Sequence, residues 1–450
     1  MKKLLLSAFL IIFSMSCSTT ADSSLDKDTL PFFGKYRAFR FVLDNKLKLI
    51  VIRDTSSPTF SMQTWFDVGS RHERKGYTGL AHLFEHMMFK QTKNLKEGEF
   101  DKILEEAGAE GENAFTSHDY TAYVQELPSD KLELVLKLES DRMVNLIVDD
   151  KAFKTEREVV QNERRFRNEN SPDGTLWQEL FGLAYTKHPY HWPVIGYEED
   201  LKRMTAEDAR KFYESYYTPS RATVVLVGDI DPYQALKLAR QYYGKIGNRE
   251  LPKELQTKIV QEPTQKSVRR KSVKLNIKVE KLMMSYPVPG IAHHDMPALN
   301  IIEALLSEGK NSRFERNLID TGIASSAESG TYENVDPSVF VFTVNLQNNK
   351  PAKTAENIIL KELEDLKTKP ITETELKKAK NIFQFQFIDG LSTNYQKAHF
   401  IGQYETVLGH FKEGLRNIDA LQNVTALDVQ RVAKKYFSPN ARTVLIGVKK

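Results

Sequence analysis

The feature that most constrains the fold is an internal repeat with an offset of about 220 residues, the separation of Thr205 from Thr425. The recurring residues are Thr205-Ala206, Asp208, Tyr217, Pro219 and Thr223-Val224 in the first copy, and Thr425-Ala426, Asp428, Phe437, Pro439 and Thr443-Val444 in the second. Each copy has the pattern of a helix, a proline turn and an apolar strand. We therefore expect two similar halves, each containing both helices and strands.

The length and composition agree with this division. A chain of 450 residues is too long for one ordinary core, and 40% apolar with 28% charged residues is typical of a globular protein. The charged stretch after residue 247 contains Pro252 and Pro263, which indicates a linker. We predict a first domain at 36–247, a linker at 248–267 and a second domain at 268–450. The net charge of +4 is small for this length and argues against a nucleic-acid partner.

The N-terminus has the pattern of an export signal. A basic start, Met1-Lys2-Lys3, precedes an apolar run from Leu4 to Phe13, which is too short to span a membrane. We predict a signal peptide at 1–17, lipidation of Cys17 and a tether at 18–35, giving a periplasmic protein anchored to a membrane. Ser16 fits a lipoprotein signal, whereas Ser14 stands where leucine is usual. The alternative is cleavage after Thr19-Thr20-Ala21, which would leave a soluble periplasmic or secreted protein.

Cys17 is the only cysteine of the chain, so the mature protein is expected to have no internal disulfide, although it is exported.

The chemistry is concentrated in the apolar segment 79–89, where His82, Glu85 and His86 have the spacing His-x-x-Glu-His. On a helix these three side chains share one face. Two imidazoles one turn apart can bind one zinc ion, and a carboxylate beside them can accept a proton from water. The order matches a zinc-peptidase signature. The alternative is a half-exposed helix with three ordinary polar residues, but burying them unpaired would be costly.

A second helix, predicted over 153–167, carries Glu156 and Glu163 two turns apart on one face. A metal held by two histidines needs a further protein ligand, usually from another element. Spacing alone does not select these glutamates, because the surrounding residues equally fit a solvated face of mixed charge. These are Arg157, Glu158, Arg164 and Arg165.

The repeat also indicates which half carries the chemistry. At the same offset, His82, Glu85 and His86 correspond to Ile302, Leu305 and Leu306, in an apolar helix predicted over 298–306. We therefore expect the second domain to keep the scaffold without a metal site.

These motifs together resemble the pitrilysin/insulinase family of zinc peptidases over essentially the whole mature chain, and its short, processing-peptidase-like bacterial members in length. The matching segments are Gly69-Ser70-Arg71 with Glu73, Gly79 to Lys90, Asn113-Ala114-Phe115-Thr116, Glu156 with Glu163, and Pro172 to Trp192 with His188-Pro189-Tyr190. The resemblance implies an α+β fold of two homologous domains. Each would be a mainly antiparallel sheet with helices packed on one side, and the domains would face each other around a cavity.

The same resemblance implies roles for individual residues. His82, His86 and Glu163 would bind zinc, and Glu85 would be the general base. Glu156 would support a ligand from behind, as metal ligands generally require. The segment Asn113, Ala114 and Phe115 would offer a strand edge to which an extended peptide adds.

One departure from the family concerns an Arg and a Tyr, seven residues apart, that active members carry in a second-half domain. Aligned on Gly322, these positions are Leu318 and Ser325, and the other register, with Arg316, lacks the Tyr as well. The resemblance then implies a heterodimer with a paralogue that supplies the pair. The alternative is a homodimer with a substitute residue such as Tyr332.

The sequence thus predicts a zinc-dependent endopeptidase that acts on peptides or unfolded polypeptides. A non-catalytic scaffold or chaperone-like lipoprotein of the same fold is the alternative. His118, His188 and His191 are expected to be structural, and His293-His294-Asp295 is expected to form an exposed turn before a helix.

Overall fold

The computed structural model describes residues 29–253 and 259–450, which form two α+β halves. The strands are β1 Thr29–Pro31, β2 Arg37–Val42, β3 Lys48–Arg53, β4 Thr59–Phe66, β5 Glu110–Thr116, β6 Thr121–Pro128, β7 Ala222–Gly228, β8 Arg269–Leu275, β9 Lys281–Val288, β10 Ala324–Thr331, β11 Ser338–Leu346 and β12 Thr443–Lys449. The first-half helices are α1 Leu80–Met87, α2 Glu99–Glu106, α3 Leu132–Asn145, α4 Asp150–Arg164, α5 Pro172–Ala184, α6 Glu198–Arg203, α7 Ala206–Tyr216 and α8 Pro232–Tyr242. The second-half helices are α9 Met296–Ser307, α10 Ala352–Thr368, α11 Glu373–Asp389, α12 Asn394–Leu408, α13 Lys412–Gln422 and α14 Ala426–Tyr436.

Each half is built on one mixed sheet. The first has seven strands in the order β1-β2-β3-β7-β4-β6-β5, and the second has five in the order β10-β11-β9-β12-β8. Only the β3–β7 and β8–β12 pairs are parallel among the described strands, so both sheets are mainly antiparallel, as predicted. The order leaves β5 at one edge of the first sheet, next to α1.

The repeat seen in the sequence is reproduced in the structure down to its helix caps. Helices α7 and α14 have 11 residues each, and both begin with a capping box. Thr205 accepts from the backbone of Asp208, and Thr425 accepts from the backbone of Asp428 in the same way. A threonine that satisfies these backbone donors marks where a helix begins, which explains why the residues recur at one offset.

The helices are not confined to one side of each sheet, because each half lends one helix to the other. In β3, Leu49 and Val51 face the first-half helices, whereas Ile50 and Ile52 pack in a separate layer with α12 of the second half. Reciprocally, α5 of the first half packs on the outer face of the second sheet. Direct apolar contact therefore joins the halves at these two layers.

One contact in the α12 layer leads to a stability prediction. A Cβ atom at Gly402 would lie 2.0 Å from Nε1 of buried Trp65, which is itself held by a hydrogen bond to Gln63. Gly402→Ala is therefore expected to lower the free energy of unfolding by about 1–3 kcal/mol through overpacking. Urea unfolding measures it, with Gly247→Ala as control, since a Cβ there meets nothing within 4 Å. Equal stability of the two variants would contradict this packing.

The predicted domain limits can be compared with the described ranges. The first sheet already begins at β1, inside the range predicted as tether, because Leu30 pairs with Ala38 of β2. In the predicted linker, the carboxylate of Glu262 accepts hydrogen bonds from the backbone of Thr186 and Lys187. Cys17 and the predicted signal peptide lie outside the described residues. Within those residues, no helix is both long and apolar enough to cross a membrane.

Candidate metal centre

The helix that carries the motif begins at a tight crossing of two backbones. Gly79, with φ 91°, precedes α1, and a Cβ there would lie 2.5 Å from the carbonyl oxygen of Ile195. A Cβ atom at Gly196 would in turn lie 2.2 Å from the carbonyl oxygen of Thr78. The buried carboxylate of Glu73 accepts hydrogen bonds from the backbone N–H groups of Gly79 and Ala81 at 2.9 and 2.8 Å. An acidic side chain at this end satisfies free N–H groups and complements the helix dipole, so it fixes where α1 starts.

Helix α4 crosses α1 so that the three predicted ligands converge. Glu163 Oε2 lies 3.7 Å from Nε2 of His82 and 3.3 Å from Nε2 of His86. One ligand atom from each of the three residues lies within 4.8 Å of the others. Tetrahedral zinc with bonds of about 2.0–2.1 Å separates its ligand atoms by about 3.4 Å. Glu163 Oε2 is buried without a hydrogen-bond partner among the described residues, which fits a donor set made for a cation.

The outer nitrogen of His86 is held by a second carboxylate. Glu156 Oε1 lies 2.9 Å from His86 Nδ1, and its other oxygen lies 2.7 Å from the ammonium group of Lys90. Although burial opposes it, the carboxylates of Glu156 and Glu163 raise the pKa of His86 to about 9. The pKa of Glu156 is lowered, despite its burial, by His86 and Lys90. The arrangement orients the His86 ring, as expected of a group that supports a metal ligand.

His82 lies in a different environment on the same helix. Its Nδ1 atom is buried and has no hydrogen-bond partner among the described residues. Burial and the neighbouring His86 lower the pKa of His82 to about 4, so its ring is neutral at pH 7. A neutral imidazole has a lone pair available for a metal ion.

The side chain of Glu85 lies on the side of α1 that faces a cleft. Its carboxylate accepts a short hydrogen bond from the hydroxyl of Thr116 on β5. Burial raises the pKa of Glu85, although the bond from Thr116 opposes this. A carboxylate with a raised pKa, next to the converged ligands, has the protonation behaviour suited to accepting and returning a proton.

His82, Glu85 and Glu163 line this cleft of about 320 Å³, whose residues all come from the first half. Ala114 and Phe115 of the edge strand β5 line it, as does Thr116. Asn113 lies next along β5, and its side-chain oxygen accepts from the N–H of Ala114. The predicted strand edge thus runs along the cleft beside Glu85.

Two cleft residues that contact Glu85 or Glu163 were missed from the sequence. Thr116 was recognised only as part of a motif, because a contact across 31 residues leaves no local pattern. Arg167 also lines the cleft, and its Nη1 atom lies 3.0 Å from Glu163 Oε1. The four-residue spacing from Glu163 on a helix could have indicated this pair.

The three histidines that were expected to be structural make packing and hydrogen-bond contacts outside the cleft. His118 is buried with its ring stacked on Phe181 at 5.4 Å, and His188 Nδ1 accepts from the backbone of Tyr190. His191 Nδ1 lies 2.8 Å from the carbonyl oxygen of His188. None of these three lines the cleft that contains Glu85.

A second group of possible metal ligands is His293-His294-Asp295, but the carboxylate of Asp295 is already paired with cationic side chains of the protein. Asp295 is fully buried and accepts hydrogen bonds from Arg431, Lys435 and Tyr436 at 2.7–2.8 Å. Although burial opposes it, these bonds hold the pKa of the Asp295 carboxyl far below its usual value. The sequence predicted an exposed turn, which holds for His294 but not for Asp295.

The positions that depart from the family pattern lie in the second half. Leu318 is buried, and Ser325 is exposed on β10 with its hydroxyl bonded to the backbone of Asn345. Arg316 is exposed in the helical turn before them. The ring of Tyr332, the suggested substitute, packs 5.0 Å from that of Phe181.

Comparison with known proteins supports the assignment drawn from the motifs. The profile described as Insulinase (Peptidase family M16) matches residues 48–196, and that described as Peptidase M16 inactive domain matches 203–383. Zinc protease PqqE of Helicobacter pylori is 33% identical over 448 residues, covering 99% of this chain and 98% of that protein. The chain belongs to the insulinase family of peptidases, M16, which confirms the resemblance seen in its sequence.

Solved structures support the fold. The crystal structure of a protease from Helicobacter pylori matches with a TM-score of 0.86 and 33% identity, covering 92% of this chain and 99% of that one. The periplasmic protease PqqL from Escherichia coli matches with a TM-score of 0.77 at 18% identity. This match covers 94% of the present chain but 48% of PqqL, so PqqL is about twice as long. The two-domain α+β prediction is confirmed.

Proposed function

We propose that the protein is a zinc-dependent endopeptidase that hydrolyses peptides or unfolded polypeptides. His82, His86 and Glu163 would be the zinc ligands and Glu85 the general base. The observation that carries the proposal is the convergence of three ligand atoms within 4.8 Å, one of them a buried carboxylate oxygen that makes no hydrogen bond among the described residues. Relatives named zinc proteases support the same chemistry.

The roles of the residues follow from their positions. When bound, zinc supplies a Lewis acid that polarises a peptide carbonyl and makes water more acidic. Glu85 would accept a proton from water and return it to the leaving amine, for which its raised pKa is suited. Glu156 holds His86 in its ligating orientation. The edge formed by Asn113, Ala114 and Phe115 binds the extended peptide through main-chain hydrogen bonds.

Removing the third ligand tests the metal centre. Glu163→Ala is expected to lower zinc affinity by at least about tenfold and to abolish cleavage, because two histidines alone leave the ion under-coordinated. Zinc content after dialysis is measured by atomic absorption, together with cleavage of unfolded casein. The control is Glu158→Ala, an exposed glutamate of the same helix. Full zinc retention in Glu163→Ala would contradict the ligand set.

A partner subunit is part of the proposal. The cleft is lined by first-half residues, and the family's Arg and Tyr positions are occupied by Leu318 and Ser325. PqqL is about twice as long, and the match to this chain covers 48% of it. We infer that a paralogue completes the site of the present chain, with a homodimer as the alternative.

The partner is tested by measuring peptide cleavage by the mature chain alone and mixed with candidate paralogues. A large gain on mixing supports the heterodimer, and full activity of the chain alone contradicts it. Size-exclusion chromatography with light scattering distinguishes a homodimer from a monomer.

We also propose that the protein is exported and held at a membrane through lipidation of Cys17, which lies outside the described residues. The PqqL relative is named a periplasmic protease. Fractionation of cells expressing the wild type and Cys17→Ser tests this. Release of the variant into the soluble periplasmic fraction is expected, and identical fractionation of both would favour the soluble alternative.

A further inference from the structure

The cleft contains an arginine, Arg167, that has no role in the proposed reaction. Arg167 lies in a π-helical turn, Arg165–Glu169, that follows α4 directly. The N–H of Asn170 donates to the carbonyl of Arg165 at 2.8 Å, which closes this wider turn. Turns of this kind inside helices are rare and frequently found at functional sites.

The backbone of the turn is fixed against the start of α5. A Cβ atom at Gly174 would lie 1.9 Å from the carbonyl oxygen of Arg167, so the close approach requires glycine. The hydroxyl of Thr175 donates to the carbonyl of Asn168 at 2.7 Å. Because α5 is itself packed on the second sheet, the point from which the Arg167 side chain extends is set by the core of the molecule.

The side chain of Arg167 is held by one ion pair among the described residues and is otherwise largely exposed. Its Nη1 atom contacts Glu163 Oε1 at 3.0 Å, while 69% of the side chain is exposed. It lines the same cleft as His82 and Glu85.

The guanidinium of Arg167 makes one ion pair among the described residues and is largely exposed, so donors remain for an anionic partner. The nearby ammonium of Lys90 is engaged by Glu156 and Glu97. If Glu163 shares its charge with zinc, its ion pair with Arg167 is weakened. A guanidinium offers a planar fork of donors, and carboxylates are the groups that match it best.

We propose that Arg167 is a specificity-determining residue that binds a carboxylate of the peptide lying along β5. The carboxylate is either an acidic side chain near the scissile bond or the free C-terminus of a short peptide. This inference rests on the proposed peptidase function, because it assumes that the cleft holds a peptide.

The test compares short unstructured peptides that differ only in charge. One series carries Glu or Gln at each position flanking the cleavage site, and a second carries a free or amidated C-terminus. Wild type is expected to favour a carboxylate-bearing peptide by about tenfold in kcat/KM, as charge-assisted hydrogen bonds are worth about 1.5 kcal/mol or more. Arg167→Met should remove the preference, and Arg167→Lys should keep part of it because the charge remains. Arg165→Met, which changes an exposed arginine of the same turn, should leave it unchanged.

A second readout separates this inference from the peptidase proposal. Fluorescence anisotropy of the same peptides bound to Glu85→Gln measures the carboxylate preference without cleavage, and zinc content is determined for each variant. An Arg167→Met protein that keeps its zinc and the wild-type preference overturns the inference but leaves the peptidase proposal intact. Equal binding and cleavage of charged and neutral peptides by wild type also overturns it. An Arg167-dependent preference in binding supports it even if no variant cleaves peptides.

Discussion

Replacement of Glu85 by glutamine is expected to lower peptide hydrolysis by about a thousandfold while leaving bound zinc unchanged. Glutamine keeps the size of the side chain and can still contact Thr116, but it cannot accept a proton from water. General acid–base groups contribute typically about 10²–10⁴-fold, and Glu85 would serve in both proton transfers. Cleavage of casein and zinc content are measured on the same preparation.

The control for this prediction is Glu105→Gln, an exposed glutamate on α2 away from the cleft. Undiminished activity in Glu85→Gln would remove the proposed mechanism. Zinc-loaded wild type that cleaves nothing, alone or with a partner, would instead support the scaffold or chaperone-like alternative.

The largest expected effect on stability comes from a buried ion pair between the halves. Lys397 on α12 lies 2.8 Å from Asp54, and both side chains are at most 5% exposed. Lys397→Met leaves the carboxylate buried without its cation, which typically costs about 3–5 kcal/mol. The free energy of unfolding is measured by urea titration. Lys102→Met, which removes an exposed pair with Glu106 on α2, should change it by less than about 0.5 kcal/mol.

The same pair should be visible in the pH dependence of stability. Burial alone would raise the pKa of Asp54, but hydrogen bonds from Lys397 and Ser56 lower it to about 2. Because the folded-state pKa is below the unfolded value of about 3.9, the contribution is full above pH ~4 and is lost as the pH falls to ~2. The stability difference between wild type and Asp54→Asn should therefore shrink over this interval. A difference that stays constant there would contradict the pairing.

The sequence predicted the architecture because a repeated set of caps and turns is a local signal. Thr205 and Thr425 begin helices for reasons contained within four residues, and that information survives without tertiary contacts. The exchange of α5 and α12 could not be predicted in this way. Amphipathic periodicity shows that a helix has an apolar face. It does not show which sheet is covered by Leu180 of α5 or by Ile401 of α12.

The part of the site that depends on local spacing could likewise be predicted, and the part that depends on distant contacts could not. The spacing of His82, Glu85 and His86 follows from one helix, whereas Glu163 could be assigned as a ligand, and not to a solvated face, only through the family resemblance. Its role depends on how α4 crosses α1, a contact between distant segments. The π-helical turn that directs Arg167 into the cleft depends on Gly174, which the sequence alone presents as an ordinary helix-start residue.

We expect one zinc ion, bound by His82, His86 and Glu163, to be required for peptide cleavage. The most direct test removes metal from the purified protein, with its partner if one is needed, and adds zinc back in steps while bound zinc and cleavage are recorded together. We expect cleavage to rise in proportion to bound zinc and to reach its maximum at about one ion per chain, and we expect His86→Ala not to recover. Full cleavage by the metal-free protein, or by His86→Ala, would contradict it.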